Sequence, residues 1–326
     1  ARLTLRLNTR PIHTGVPISM DPTIKRFKKY LSQQDLSERT IKGYLDDLNF
    51  FTHWYEEIQH KKIDWLTITD FDLQTFRQYL VNGKRQKVSS VNRRIQALKR
   101  LFDWADDHGL LVVTHENPTE HLRFMRRKAP TQPYALTKTD VHNLLRAAGQ
   151  SSHGLSKRNY AILQLMLQSG LRIGEVIKLR YGDITLQARS GSVNIVDGKG
   201  HKSREVPLNI TVRHALQNYF KQCKPKETDD PVFHSKRQQR LSLRSMQSMI
   251  HSLVMRTKLT QPSVSAHTLR HTFATNYLRA NPNQLVELAQ LLGHDSLNTT
   301  AIYTKASQAQ LAEAVEKSEI NIYGSD

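Results

Sequence analysis

The residues of this chain best suited to chemistry are cations and one tyrosine: Arg172, Lys199, His267, Arg270, His294 and Tyr303, in that order. Each has an ordinary explanation when taken alone. Arg172 follows Gly170-Leu171 and suits an exposed helix position; Lys199 sits in Gly198-Lys199-Gly200 and suits a solvated turn. His267 and Arg270, three apart, share one helical face as any surface pair would. Gly293-His294 ends an apolar run, where a helix C-cap is expected, and a tyrosine placed like Tyr303 is usually a packing residue. Together they offer another possibility. Guanidinium groups are planar, permanently charged and able to donate paired hydrogen bonds, which suits a phosphate whose oxygens gain charge in a transition state. A zinc site is discounted: His267 and His271 have the i, i+4 spacing of a metalloprotease helix, but Thr268 stands where that motif needs Glu.

The surrounding patterns indicate which elements would position these side chains. From Thr23 to Arg126 the apolar residues recur at three and four: Ile24, Phe27 and Leu31; Ile41, Tyr44, Leu45, Leu48 and Phe51 after a Ser37/Thr40 start; Phe71, Leu73, Phe76, Tyr79 and Leu80 from Asp70; Val91, Ile95, Leu98, Leu101, Phe102 and Trp104 from Ser90. This predicts a helical domain of four or five helices over 20–126, after a basic tail at 1–19. Residues 127–134 hold Pro130 and Pro133 beside basic side chains and read as a linker. In the second domain, 135–326, Thr137 is the expected cap of a helix carrying Val141, Leu144 and Leu145. Helices are expected at 157–169, ending at Gly170, and from Arg172 to Leu179. The period then switches to two, and 192–196 and 204–208 predict a β-hairpin whose turn holds Lys199. Helices follow at 210–222, 242–257, 267–279, 283–292 and 297–303, with a last one at 307–317 carrying Leu311, Ala312 and Val315. The fold class is therefore mainly α with a small β-hairpin, α+β in type.

Composition narrows the partner. Lys and Arg total 48 against 29 Asp and Glu, a formal charge of +19. That excess repels itself in a compact state and points to a polyanion, nucleic acid first. No run approaches the length of a membrane helix, and no basic amphipathic helix suggests a membrane surface. Cys223 is the only cysteine, which excludes an internal disulfide and fits a reducing, cytoplasmic setting, nucleoid-associated if the partner is DNA. Aromatics are 7% of the chain and sit at core-like positions, so stacking platforms for RNA find no support.

The phrases Ser169-Gly170-Leu171-Arg172, Gly198-Lys199-Gly200, His267-Thr268-Leu269-Arg270-His271-Thr272-Phe273-Ala274-Thr275 and Leu291-Leu292-Gly293-His294, with Tyr303 nine residues further on, resemble the tyrosine recombinase (phage integrase) family. Its Xer-type resolvases and transposon integrases are the most similar branch. The helical first domain, with Ser37-Glu38-Arg39-Thr40 leading into Tyr44, resembles that family's core-binding domain. The resemblance implies two domains closing on duplex DNA as a C-shaped clamp, and a site-specific recombinase forming a 3′-phosphotyrosyl intermediate and a Holliday junction. Arg172 and Arg270 would clamp the scissile phosphate and His294 would donate a further hydrogen bond. Tyr303 would be the nucleophile, its phenolate favoured by surrounding positive charge. His267 would help remove its proton, Lys199 would protonate the leaving 5′ oxygen, and Glu175 would orient Arg172 or a histidine. The resemblance implies a homotetramer on a double-stranded recombination site, in which the expected 307–317 helix would dock on a neighbouring subunit or fold back on its own domain; a need for accessory proteins is left open by the sequence. Cofactors are not expected, because side chains supply the cations and the covalent bond stores the phosphodiester.

Candidate DNA contacts are Thr40, Lys42, Lys87, Ser89, Arg93 and Arg94 in the first domain, and Arg237, Arg240, Arg244 and Gln247 in the second. They gather at predicted helix starts, where cations and free backbone N–H groups favour phosphate, and Arg and Gln can read base edges. Two other activities remain open on sequence: strand relaxation of the type IB topoisomerase kind, and a DNA-binding regulator without catalysis.

Overall fold

The protein is described by a computed structural model covering residues 21–111, 116–126, 134–150, 154–196, 203–223, 227–257, 259, 264–294 and 296–303. The tail at 1–19, most of the expected linker, the Lys199 turn and the expected helix at 307–317 lie outside the described residues. The chain divides into two compact units, Ala1–Ala129 and Pro130–Asp326.

The first unit is built from α1 (Pro22–Gln33), α2 (Glu38–Gln59), α3 (Asp70–Gln78) and α4 (Val88–Asp107). Each of the first three starts at a residue whose side chain accepts a backbone N–H: Asp21, Ser37 and Thr69, the last in a reciprocal box with Asp72. Their apolar stripes meet in a core centred on Phe51, whose ring lies 4.9 Å from Phe76 and 5.4 Å from Trp65. Phe71 departs from expectation: it is 78% exposed. The inward stripe is Leu73, Phe76 and Leu80, and a residue two positions before Leu73 points about 200° around the helix.

The second unit opens with α5 (Lys138–Gly149), capped by Thr137 and Asp140 in a reciprocal box, followed by α6 (Ser156–Ser169) and α7 (Ile173–Lys178). A three-stranded antiparallel sheet comes next, β1 (Ile184–Leu186), β2 (Gly191–Val196) and β3 (Ser203–Pro207), in that order. The expected hairpin is β2–β3, paired from Ser192↔Pro207 to Val196↔Ser203. Strand β1 went unpredicted because three residues are too few to show a period of two. Then come α8 (Ile210–Cys223), α9 (Leu243–Met255), α10 (Ala266–Ala280), α11 (Leu285–Leu292) and α12 (Leu297–Thr300), the last running into a 3-10 turn, Ala301–Tyr303. Helix α6 is buried nearly all round, with Ile162, Leu163, Leu165 and Met166 at the centre of the main core. A smaller cluster of Phe273, Leu278, Leu288, Leu292 and Tyr303 joins α10 to α11 and the final turn. Among the described residues, no helix is long and apolar enough to cross a membrane.

Candidate active site

Two helix ends make the floor of the site. Helix α6 stops at Gly170 and α11 stops at Gly293, both left-handed with φ of 63°. Glycine is required at each for a second reason, close approach. A Cβ on Gly170 would lie 2.3 Å from the Phe273 ring, and one on Gly293 would lie 2.7 Å from the Arg204 guanidinium. The C-terminal carbonyls of these helices carry partial negative charge and lack helical partners, so they attract cations.

Three guanidinium groups answer. Arg270, on α10 and 5% exposed, donates to the carbonyls of Gly170 at 2.6 Å and Leu292 at 2.7 Å. Arg172, at the start of α7, donates to the Gly293 carbonyl at 2.7 Å, and Arg204, on β3, donates to the Leu291 carbonyl at 3.0 Å. One carboxylate, Glu175, ties the group together. It accepts from the Arg172 backbone at 2.7 Å, the Arg172 side chain at 2.9 Å and Arg204 at 2.8 Å. Burial pushes the Glu175 acid up, but hydrogen bonds and charge from Arg204, aided by Arg172, outweigh it and hold the group below its usual range. Among the described residues, three cations against one anion leave an uncompensated positive centre, suited to a phosphate. Its strain shows in Arg270, pushed down to about 10 by burial first and then by Arg172, with Arg204 adding to it.

His294 lies against this centre. Its Nε2 is 3.0 Å from an Arg270 nitrogen and its Nδ1 is 2.8 Å from Thr300 Oγ1. A guanidinium only donates, so Nε2 accepts and the ring proton sits on Nδ1. Burial, then Arg270, Arg172 and Arg204, push this histidine down to about 4, so the ring is neutral at pH 7.

Tyr303 is 7% exposed, its ring packed in the small cluster beside Phe273 and Leu292. Two observations bear on the roles expected of Tyr303 and His267. The phenol is pushed up rather than down, because burial outweighs the nearby Arg270 charge. Its hydroxyl partner is His271, through Nδ1 at 2.5 Å, and not His267. His267 is exposed at the start of α10, its ring centre 6.4 Å from that of His271, and it lines an open cleft with Arg172, Lys178, Asn194 and Arg240.

Arg172, Arg270, His294 and Tyr303 thus share one neighbourhood with Glu175, while Lys199 lies outside the described residues. Sequence reasoning missed Arg204 and His271. Both left signals: Arg204 stands on the same face of β3 as buried Val206, an odd place for an arginine, and His271 lies one helical turn after His267.

The candidate DNA contacts divide. Lys42, Lys87, Ser89, Arg93, Arg237, Arg240, Arg244 and Gln247 are exposed, and Thr40 and Arg93 line a groove of the first unit with Tyr44 and Gln96. Arg94 points inward instead. It lies 3.6 Å from buried Asp47, donates to Gln86 at 2.5 Å and covers the Phe50 ring at 4.0 Å. Arg93 also pairs with Asp47, at 2.7 Å, yet keeps 55% of its side chain exposed.

Residues 134–310 match the Phage integrase family, and residues 24–109 match its N-terminal SAM-like domain. The tyrosine recombinase XerC of Syntrophus aciditrophicus is 31% identical over 313 residues, 91% of this chain and 97% of that protein. XerC of Pediococcus pentosaceus is 29% identical over 301 residues, 90% of this chain and 96% of the relative. A solved structure of the XerH site-specific recombinase bound to difH substrate shares the fold, with a TM-score of 0.69 at 22% identity, over 91% of this chain and 84% of that one. Matches of this extent across both units, joined to a phosphate-ready cationic centre beside a tyrosine, place the chain in the phage integrase family: it is a tyrosine recombinase.

Proposed function

We propose that this protein recombines DNA at a specific duplex site by attack of Tyr303 on a backbone phosphate held by Arg172, Arg270 and His294. The observation that carries this is the convergence of three guanidiniums and a neutral imidazole beside the buried Tyr303, with one carboxylate between them. The anionic diester takes the place of the missing counter-charge. It draws Arg270 outward and frees His294 Nε2, which then gains a proton and donates to a non-bridging oxygen. Glu175 holds Arg172 and Arg204 in place throughout. Lys199 protonates the 5′ oxygen as it leaves. His267 faces the cleft in which the strand lies. Metal and nucleotide are not required, since the side chains stabilise the charge and the phosphotyrosine conserves the bond energy.

The 5′ hydroxyl so released attacks the phosphotyrosine of a partner strand. Two such rounds, through a Holliday junction, complete the exchange within a homotetramer joined through residues 307–317, where the sequence predicts a helix; a requirement for accessory proteins stays open. Both units hold the duplex, the first through the Thr40–Arg93 groove and the second through Arg237, Arg240, Arg244 and Gln247. The biological outcome is integration, excision or resolution of a mobile element or replicon dimer, in the cytoplasm on the nucleoid. Topoisomerase-like relaxation and a non-catalytic regulator are the less favoured alternatives.

The test is a candidate-site duplex carrying a nick that traps cleavage, incubated with EDTA and no nucleotide. Wild type should give a denaturation-resistant adduct and Tyr303→Phe none. Tight binding to a verified site without an adduct would remove the nucleophile assignment.

A further inference from the structure

We infer that His271 is the catalytic base for Tyr303, taking the phenol proton through Nδ1 as the covalent bond to phosphorus forms. This rests on the assignment of Tyr303 as nucleophile. The contact is direct, 2.5 Å from Nδ1 to the hydroxyl oxygen, with ring centres 5.5 Å apart. That is hydrogen-bond reach of the proton to be moved. Both partners are held by the fold: His271 sits within α10, and Tyr303 lies in the buried cluster that also holds Phe273 and Leu292.

A base is needed, since burial makes the phenol harder to ionise than in water. His271 is itself kept unprotonated, by burial first and then by His267 and Arg270, so Nδ1 stays free to accept at neutral pH. Among the described residues, the charged and titratable groups around it are His267 and Arg270 on its own helix, His294 at the end of α11, and Tyr303, and none of these is an anion that would raise its basicity. A weak base and a weak acid can still exchange a proton when transfer is concerted with attack, so that free phenolate never accumulates. In cleavage the Tyr303 Oη–P bond forms, the Oη proton passes to His271, the P–O5′ bond breaks, and the 5′ oxygen takes a proton from Lys199. In resealing, the 5′ hydroxyl attacks phosphorus, its proton returns to Lys199, and His271 gives its proton back to the departing Tyr303 oxygen.

The experiment measures the rate of adduct formation on the nicked duplex against pH for wild type, His271→Gln and His267→Ala, with DNA affinity measured in parallel. Glutamine retains a polar contact but does not titrate. Wild type should slow at acid pH; His271→Gln should bind DNA as wild type does, cleave roughly 10²–10⁴-fold more slowly, and lack that fall. His267→Ala should keep that fall. A second measurement needs no histidine variant: wild type with its tyrosines replaced by fluorotyrosine, whose phenol is more acidic. The acid limb should stay where it was, because it belongs to the imidazole. Three results would each overturn the assignment: a His271→Gln enzyme with wild-type rate and profile, loss of the limb in His267→Ala instead, or a limb that moves with the phenol. An adduct that survives Tyr303→Phe would defeat the nucleophile assignment itself and is read separately.

Discussion

Replacing Glu175 by Gln tests the idea that one carboxylate holds the cationic centre together. The side chain is 12% exposed and accepts three hydrogen bonds, two from Arg172 and one from Arg204. Glutamine keeps one acceptor oxygen, so the backbone bond to Arg172 survives, but both ion pairs are lost. Removing one partner of a largely buried pair costs roughly 3–5 kcal/mol. The Arg172 side chain is 38% exposed and its share is screened, at most about 1 kcal/mol, so the Arg204 pair carries most of the loss. A total near 3 kcal/mol should lower the melting temperature by about 6–12 °C for a unit of this size. Differential scanning calorimetry in low-phosphate buffer measures it. Bound DNA should recover part of the loss, because phosphate supplies the missing negative charge. The pH dependence has a definite sign. The folded acid is held below its usual range, so its stabilisation is full above the unfolded value and is lost as pH falls through the folded one. Wild-type and variant stabilities should therefore converge in acid. A variant within about 0.5 kcal/mol of wild type at pH 7 would refute the claim that Glu175 organises the site.

DNA binding should take up protons between about pH 4 and the ordinary histidine range, because His294 is neutral in the free protein and, by the proposed mechanism, becomes charged on phosphate; calorimetric titration in buffers of different ionisation enthalpy reads this, and His294→Gln should abolish it. Gly170→Ala should cost more than about 2 kcal/mol in urea unfolding, since it adds a left-handed backbone penalty to a Cβ placed 2.3 Å from Phe273. Arg93→Ala should weaken DNA binding, reduce its salt slope by about one and also lower stability, because it removes the 2.7 Å partner of buried Asp47; Arg94→Ala should lower stability through the lost Gln86 bond and Phe50 cover and leave the salt slope unchanged. Phe76→Ala should cost about 3–5 kcal/mol and Phe71→Ser no more than about 0.5 kcal/mol, a contrast that denaturant titration of the two variants resolves.

Much of this protein is decided locally and is therefore legible in its sequence. Helix starts such as Asp21, Ser37, Thr69 and Thr137 are written in side chains that cap the next few N–H groups. Gly170 marks the end of α6, and the alternation around 192–208 marks the hairpin, because these depend on neighbours in the chain. The phrases around Arg172, Arg270, His294 and Tyr303 also carry the resemblance to the family, and the helices set their spacing. What tertiary structure alone decides is who touches whom. Arg204 joins Glu175 across 29 residues, and Arg270 finds carbonyls at the ends of two helices, 100 and 22 positions away. No local pattern encodes those meetings. The same is true of charge states: a sequence full of cations suggests an easily ionised tyrosine, yet packing buries Tyr303 and reverses the sign. It is also packing that turns His271, one helical turn beyond the expected His267, onto the hydroxyl, because the choice between adjacent turns depends on where the final 3-10 turn lands against α10.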